Sequence, residues 1–383
     1  MLHNLLVVET ASVLAGPLAG QFLAELGARV IKLENATTGG DVTRSWRTSG
    51  EESDTDISAY FACANFGKES VRVDLRRPED RHLTGALIAA ADVFIHNWKP
   101  GDDAKLGFDY EHCISMNPRL VHASISGYGE DDRRVGYDAV IQAESGLMSM
   151  NGSPDSGPTK MPVAVADIMA AHQLKQGILV ALLHRERTGE GSKVHVSLME
   201  SALSSLVNQG TNYLHTGRVP GREGSEHPNI VPYGTVFLTA DHAEILLAVG
   251  TDDQYADLCA VLGVDVRPMH ASNHGRVKDR HAVNDVLRAA IRSIRSDELL
   301  AECKKRKIPA GRVESVDRAL DGPQGRGMIL QSETIKGIRS SVARISSLTA
   351  TTTLSRPPHL DEHGERVRAE FMGTSDESGT GMG

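Results

Sequence analysis

The opening third of the chain alternates short apolar runs with helix-patterned segments, and that rhythm leaves few folds open. Leu5–Leu6–Val7–Val8–Glu9 reads as a strand. Ala15–Gly16–Pro17 then turns the chain into a stretch from Leu18 to Leu26 with apolar residues at helical spacing, and Arg29–Val30–Ile31–Lys32–Leu33–Glu34 reads as a second strand. Strand, helix and strand within about thirty residues is the size of a parallel crossover. The same pattern continues through strands at 70–75, 92–96 and 120–125, separated by helical stretches at 78–91 and 110–116. It predicts a doubly wound α/β domain built on a parallel sheet.

A chain of 383 residues exceeds the size at which one core keeps growing, so two domains are expected. A further strand, 193–198, leads into an apolar helix; residues 216–232, rich in Gly, Pro, Arg and His, then read as a long linker. Strands at 235–238 and 244–249, turning at Asp241–His242, open a smaller α+β domain over 233–320, covered by helices near 253–262, 282–294 and 297–305. Residues 1–215 form the larger domain, a return segment at 321–372 completes it, and 373–383 is a tail with nothing to bury.

Composition removes several classes of function. The net charge of −9, with Lys and Arg scattered along the chain, lacks the basic face of a nucleic-acid binder. The four cysteines lie far apart with no C-x-x-C pair, and the sixteen histidines form no H-E-x-x-H group, so no metal is expected. No apolar run of membrane-spanning length occurs, and the start lacks a signal-peptide pattern, which points to a cytoplasmic protein without membrane partners.

The chemistry concentrates in a few places. Pro162–Val163–Ala164–Val165–Ala166–Asp167 reads as a β-branched strand ending on a carboxylate where a long amphipathic helix, running to Arg187, begins. Helix-terminal N–H groups favour the ionised form of Asp167, suited to a nucleophile. Equally, Asp is a preferred N-cap, and Asp167 then only closes the helix end. Ala15–Gly16–Pro17 opens a helix toward an anion but misses the glycine spacing of a nicotinamide fingerprint, although Glu34 ends the second strand. Asn97–Trp98–Lys99–Pro100–Gly101 follows a strand and belongs at the carboxyl edge of the sheet, where ligands of open α/β folds collect. There Trp98 suits an adenine and Lys99 a phosphate, with Arg76, Arg77 and Lys105 adding charge; packing and solvation account for the same residues.

In collinear order, Ala15–Gly16–Pro17, 26–34, Gly40–Asp41–Val42–Thr43–Arg44–Ser45–Trp46, 91–98, Leu106–Gly107–Phe108, Gly136–Tyr137–Asp138, 187–191, His227–Pro228–Asn229 and Ile308–Pro309–Ala310–Gly311 resemble the family III CoA-transferases. The resemblance implies a Rossmann-like large domain, a smaller inserted domain and an interlocked homodimer with its active site where the two subunits' domains meet. It makes Asp167 the catalytic aspartate. Ala15, Val73, Asp74, Arg76, Asn97, Trp98, Lys99 and Lys105 then line a CoA site, with Tyr137 and Asp138 at the pantetheine end. Acyl-CoA is a substrate together with a small carboxylic acid, and no tightly bound cofactor is implied. Asn35 replaces an arginine that meets the adenosine side in relatives. Arg44, Arg47, Arg218 and Arg222 are candidates to clamp a second carboxylate, which makes succinyl-CoA a plausible donor. The alternatives are a 2-methylacyl-CoA racemase, disfavoured because Tyr137 stands where that enzyme has a histidine base, and a non-catalytic CoA or nucleotide binder.

Overall fold

The computed structural model describes residues 2–51, 54–343 and 353–373; the tail from 374 onward and the segment 344–352 lie outside them. Two compact units emerge, one of the described residues up to Ser145, Met161–Thr211 and the described residues from Gln324 onward, the other of Gly146–Lys160 and Asn212–Pro323.

The first unit begins β1 (Leu6–Glu9), α1 (Ala15–Glu25), β2 (Arg29–Asn35), β3 (Lys68–Val73), α2 (Pro78–Ala90), β4 (Val93–His96), α3 (Tyr110–Met116) and β5 (Val121–Ser126). It continues with α4 (Asp138–Glu144), α5 (Val165–Thr188) and β6 (Ser192–Ser197). The six strands form one sheet in the order β3-β2-β1-β4-β5-β6, and every pair is parallel. Val7, Val8, Val30, Ile31, Phe94, Ile95, Val121 and Ala123 are buried, so both faces of these strands are covered, as near-continuous apolar runs require. The alternation of the sequence thus corresponds to a parallel α/β sheet. β3 starts two residues earlier than its apolar pattern, because Lys68 enters the interior: its Nζ lies 2.8 Å from Glu9 Oε1, and both side chains are fully buried. Gly20 of α1 lies over this pair, and a Cβ there would fall 1.9 Å from Glu9 Oε2, so only glycine lets the helix approach.

The expected strand at 162–166 does not form. Val163 is half exposed, α5 is already helical from Val165, and β5 pairs instead with β6. A β-branched pattern without a neighbouring strand has no ladder to join. Asp167 consequently sits inside the first helical turn. At the far end of α5, Arg185 Nη1 donates to Asp92 Oδ1 at 2.8 Å while Asp92 Oδ2 accepts from Leu6 N at 2.7 Å, which fixes the helix to the start of the sheet.

The second unit carries β7 (Tyr233–Leu238), β8 (Glu244–Ala248), α6 (Asp252–Leu262), α7 (Arg280–Ile291), α8 (Ser296–Lys305) and β9 (Ala310–Arg312). Its strands form an antiparallel sheet in the order β7-β8-β9 over a core of Phe237, Ile245, Leu247, Leu258, Leu287 and Leu299. Asp241 in the β7–β8 turn accepts from Ser296 N at 2.8 Å, joining hairpin to α8. The three-residue β9 is too short to read in the sequence. Back in the first unit, β10 (Ile329–Ser332) and β11 (Ile335–Ile338) form an antiparallel hairpin, and α9 (Gly364–Met372) follows. This return segment covers the free edge of β3: Asp361 Oδ1 accepts from Arg72 N at 2.8 Å and His363 N donates to Ser70 O at 3.0 Å.

Candidate active site

Strand order reverses between β1 and β4, and chains leaving the carboxyl ends of such neighbours diverge to leave a crevice. A cleft lies there, lined by Ser12–Ala15 after β1, Asn97–Pro100 after β4, Ile125–Gly127 at the end of β5, Arg134–Asp138, Leu198 and Asp167. Ala15, Asn97, Trp98, Lys99, Tyr137, Asp138 and Asp167, all singled out in the sequence, therefore share one cavity.

Each wall has a local cause. Asn97 reaches back across the crevice, its Nδ2 donating to Ser12 O at 2.9 Å and its Oδ1 accepting from Ser12 N at 3.2 Å, so its side chain clips the first turn in place. Trp98 packs against Phe94, His96 and Phe108 with ring centroids 5.7, 5.0 and 6.3 Å away, which leaves it half-buried with part of the indole toward the cleft. Behind Tyr137 two backbones cross: a Cβ on Gly127 would meet Gly136 Cα at 2.6 Å, and this close approach brings Tyr137 and Asp138 beside β5.

Asp138 does what the sequence offered as the plain alternative for Asp167. Its Oδ1 accepts from Ala166 N at 2.8 Å and its Oδ2 from Gln142 Nε2 at 2.7 Å, while the N-cap position of α5 is Ala164, which makes no side-chain cap. The helix end is capped from outside, and the Asp167 carboxylate is released from that duty. Its protonation differs from the reading based on the helix dipole: burial, aided by the neighbouring Asp138 charge, pushes the Asp167 pKa up to about 7. Desolvation outweighs the helix end, and near neutrality the free carboxyl is divided between acid and carboxylate.

Tyr60 was not found from the sequence. Its phenol is pushed up to about 12, by burial first and then by the charges of Asp167, Cys63 and Asp138, so it stands within the field of the cleft carboxylates. Its ring meets Trp46 edge-on at 5.1 Å. No local pattern marks it; the only signal was its place shortly after the Gly40–Trp46 stretch.

Val73, Asp74, Arg76 and Lys105 are not among the residues lining the cleft. The Val73 side chain is buried in the core, leaving only its backbone for a ligand. Arg76 and Asp74 pair with each other at 2.8 Å at the end of β3, and Lys105 pairs with Asp102 at 2.8 Å; Arg76 and Lys105 lie toward the solvent. Arg44 is not free to clamp a substrate. It is buried, donates to Glu34 Oε1 at 2.6 Å and Oε2 at 2.8 Å, and lies 3.7 Å from the Phe61 ring. The same pair engages both oxygens of Glu34, the residue that ends the second strand. Asn35 turns its Oδ1 to Thr37 N at 2.9 Å and caps a short turn.

A parallel sheet with a buried carboxyl in its switch-point crevice is a setting common among α/β enzymes. The family model for CoA-transferase family III matches residues 2–364, and the chain belongs to that family. Succinate–glutarate CoA-transferase of Agrobacterium fabrum is 39% identical over 97% of this chain and 95% of its own length. Acetyl-CoA:oxalate CoA-transferase of Acetobacter aceti is 34% identical over 96% and 95%. Among solved structures, a CAIB/BAIF family protein from Brucella suis superposes with a TM-score of 0.83 at 38% identity, covering 97% of this chain and 99% of that one. The chain is thus an enzyme, a CoA-transferase.

Proposed function

We propose that the enzyme moves CoA from an acyl-CoA to a small carboxylic acid with Asp167 as nucleophile, and that succinyl-CoA with a dicarboxylic acid is the natural kind of pair. The observation that carries this reading is the carboxyl of Asp167 in the switch-point cleft, relieved of capping by Asp138. The ionised Asp167 oxygen attacks the thioester carbonyl; the C–S bond breaks, and a mixed anhydride and CoA thiolate result. The thiolate attacks the aspartyl carbonyl and expels the donor acid as carboxylate, leaving an aspartyl-CoA thioester. The acceptor carboxylate repeats these two steps in reverse sense, forming its own acyl-CoA and restoring Asp167. Every step conserves the activated acyl bond, so the site needs an unhydrated carboxylate and donors for the oxyanions more than an acid or base. The first turn of α1 opens onto the cleft, and its amides have no carbonyl one turn back; Leu18 N is the one that closes onto Leu14 O, at 2.8 Å. These amides are suited to the oxyanions.

CoA would run along the carboxyl edge of the sheet, from Asp74 and Arg76 past Asn97, Trp98 and Lys99 to Tyr137 and Asp138. The names of the relatives favour dicarboxylates. We further propose the layout of a large domain from 1–215 and 321–372, a small domain at 233–320 joined through 216–232, and an interlocked homodimer. Exposed Leu179, Val180 and Leu183 on α5 support a covered surface there. The test of function is a screen of acyl-CoA donors against carboxylic acids with wild type and Asp167→Ala, followed by hydroxylamine trapping after donor incubation. The expected result is transfer and a modified Asp167 in the wild type alone. Equal transfer by both proteins would remove the assignment.

A further inference from the structure

We propose that Asp41, which lies outside the cleft, is a positioning residue for the transfer reaction: its buried carboxylate holds Val13 in a left-handed conformation and so fixes the turn facing Asp167. The inference rests on Asp167 being the nucleophile. Val13 has φ of 72°, a conformation that a β-branched residue adopts only under constraint. The constraint is visible. Val13 N donates to Asp41 Oδ1 at 3.3 Å and Oδ2 at 3.2 Å, and Val13, Leu14 and Ala15 then line the cleft with Asp167.

Asp41 is itself held from below. Thr43 donates to its Oδ1 through N at 3.1 Å and Oγ1 at 2.8 Å, and Lys32 Nζ lies 3.0 Å from its Oδ2. Lys32 also donates to Ala11 O at 2.6 Å and to Glu9 Oε1 at 3.1 Å. Lys68 bonds Glu9 from the other side and donates to Pro17 O at 2.8 Å. A row of four buried charges, two lysines and two carboxylates, therefore runs beneath the turn and grips it at Ala11, Val13 and Pro17. From the cleft side Asn97 grips Ser12. Burial opposes the Asp41 charge, yet Lys32 and the Thr43 hydrogen bonds hold its carboxyl below the ordinary range, so it stays an acceptor for Val13.

Strain stored beside a reactive group, and secured by buried charge, is a means of keeping donors still while charge develops on the substrate. A glycine at position 13 adopts the same conformation without being forced, which makes the mechanism separable from general stability. Asp41→Asn is expected to lower kcat about tenfold or more, the scale of a small misplacement of reacting groups, while KM for acyl-CoA stays within about threefold. In a Val13→Gly background the same substitution is expected to lower kcat by less than about threefold, because there is less strain for Asp41 to enforce. An unchanged kcat in folded Asp41→Asn, or an equal fall in both backgrounds, overturns the proposal. Should Asp41→Asn fail to fold, with Lys32 left unbalanced, the comparison is made between Lys32→Met and Lys32→Met/Asp41→Asn, which is electrically balanced. The loss is expected to persist between those two, and equal kcat in them overturns the proposal. A wild type without transfer, or an active Asp167→Ala, would instead defeat the reading on which it rests.

Discussion

At the scale of single residues, the cleft brings together a pair of carboxyls in different surroundings. Asp138 spends its lone pairs on Ala166 N and Gln142, and Asp167, buried beside that charge, is pushed up to about 7. With Asp167 as the proposed nucleophile, attack needs the ionised form, and kcat/KM for acyl-CoA is expected to climb about tenfold per pH unit below 7 and to level off above about 8. A profile flat from pH 5 to 9 would contradict this. Asp138→Asn removes the like charge and should move the inflection toward acid by about half a unit to one unit; a basic shift would contradict it. The same pKa makes a stability statement. A carboxyl that binds its proton more tightly folded than unfolded supports the fold at acid pH, and that support is lost as pH rises from the ordinary carboxylate range through about 7. Asp167→Asn should therefore stabilise the protein by about 1–3 kcal/mol at pH 8 and change little near pH 4, read by denaturant titration at both values.

At the scale of elements, apolar periodicity was enough to place the six parallel strands: β1, β2, β4 and β5, buried on both faces, write their burial into consecutive residues, and the half-buried edge strand β6 shows alternation instead. It could not place what depends on partners distant in sequence. The Val163–Val165 alternation lacked a neighbouring strand and became the approach to α5, and Asp138, 28 positions before Ala166, took over the cap that local sequence offered to Asp167. Asp167, Trp98, Lys99, Tyr137 and Asp138, singled out in the sequence, line one cleft; Tyr60 and Val13 carried no such mark, since one is noticed by the charges around it and the other by its backbone. The buried Glu9–Lys32–Lys68 group was hidden for the same reason, its charges resembling surface residues until the sheet brings them together. Packing of α1 over that group yields a direct expectation. A Cβ at Gly20 would lie 1.9 Å from Glu9 Oε2 and 3.2 Å from Lys68 Nζ, so Gly20→Ala is expected to destabilise by about 2–4 kcal/mol. Gly85, inside α2 with no atom within 4 Å of the place a Cβ would take, is the contrast: Gly85→Ala should be neutral or stabilise by up to about 1 kcal/mol. Denaturation midpoints of the two variants decide it.

At the scale of the whole molecule, the question is what covers the outer face of α5. Leu179, Val180 and Leu183 are 39%, 67% and 53% exposed on a helix whose opposite side, through Ala170, Leu174 and Ile178, is sealed in the core. Large apolar side chains grouped this way on a helix in water favour association, and the proposed second copy supplies a matching surface by symmetry. Interlocking adds a stronger expectation than association alone. Two subunits threaded through each other cannot part while both are folded, so dilution should not yield folded monomer. Likewise, mixing two differently tagged preparations should produce no hybrid dimer until the protein is unfolded and refolded together. Hybrids forming under native conditions would leave a dimer but remove the linkage, whereas a monomer at micromolar concentration would remove both. Val180→Asp and Leu183→Asp separate the surface from the threading. If the α5 face is buried between copies, each charge must be desolvated in the assembly and should cut the yield of folded dimer sharply, with little effect if that face meets water.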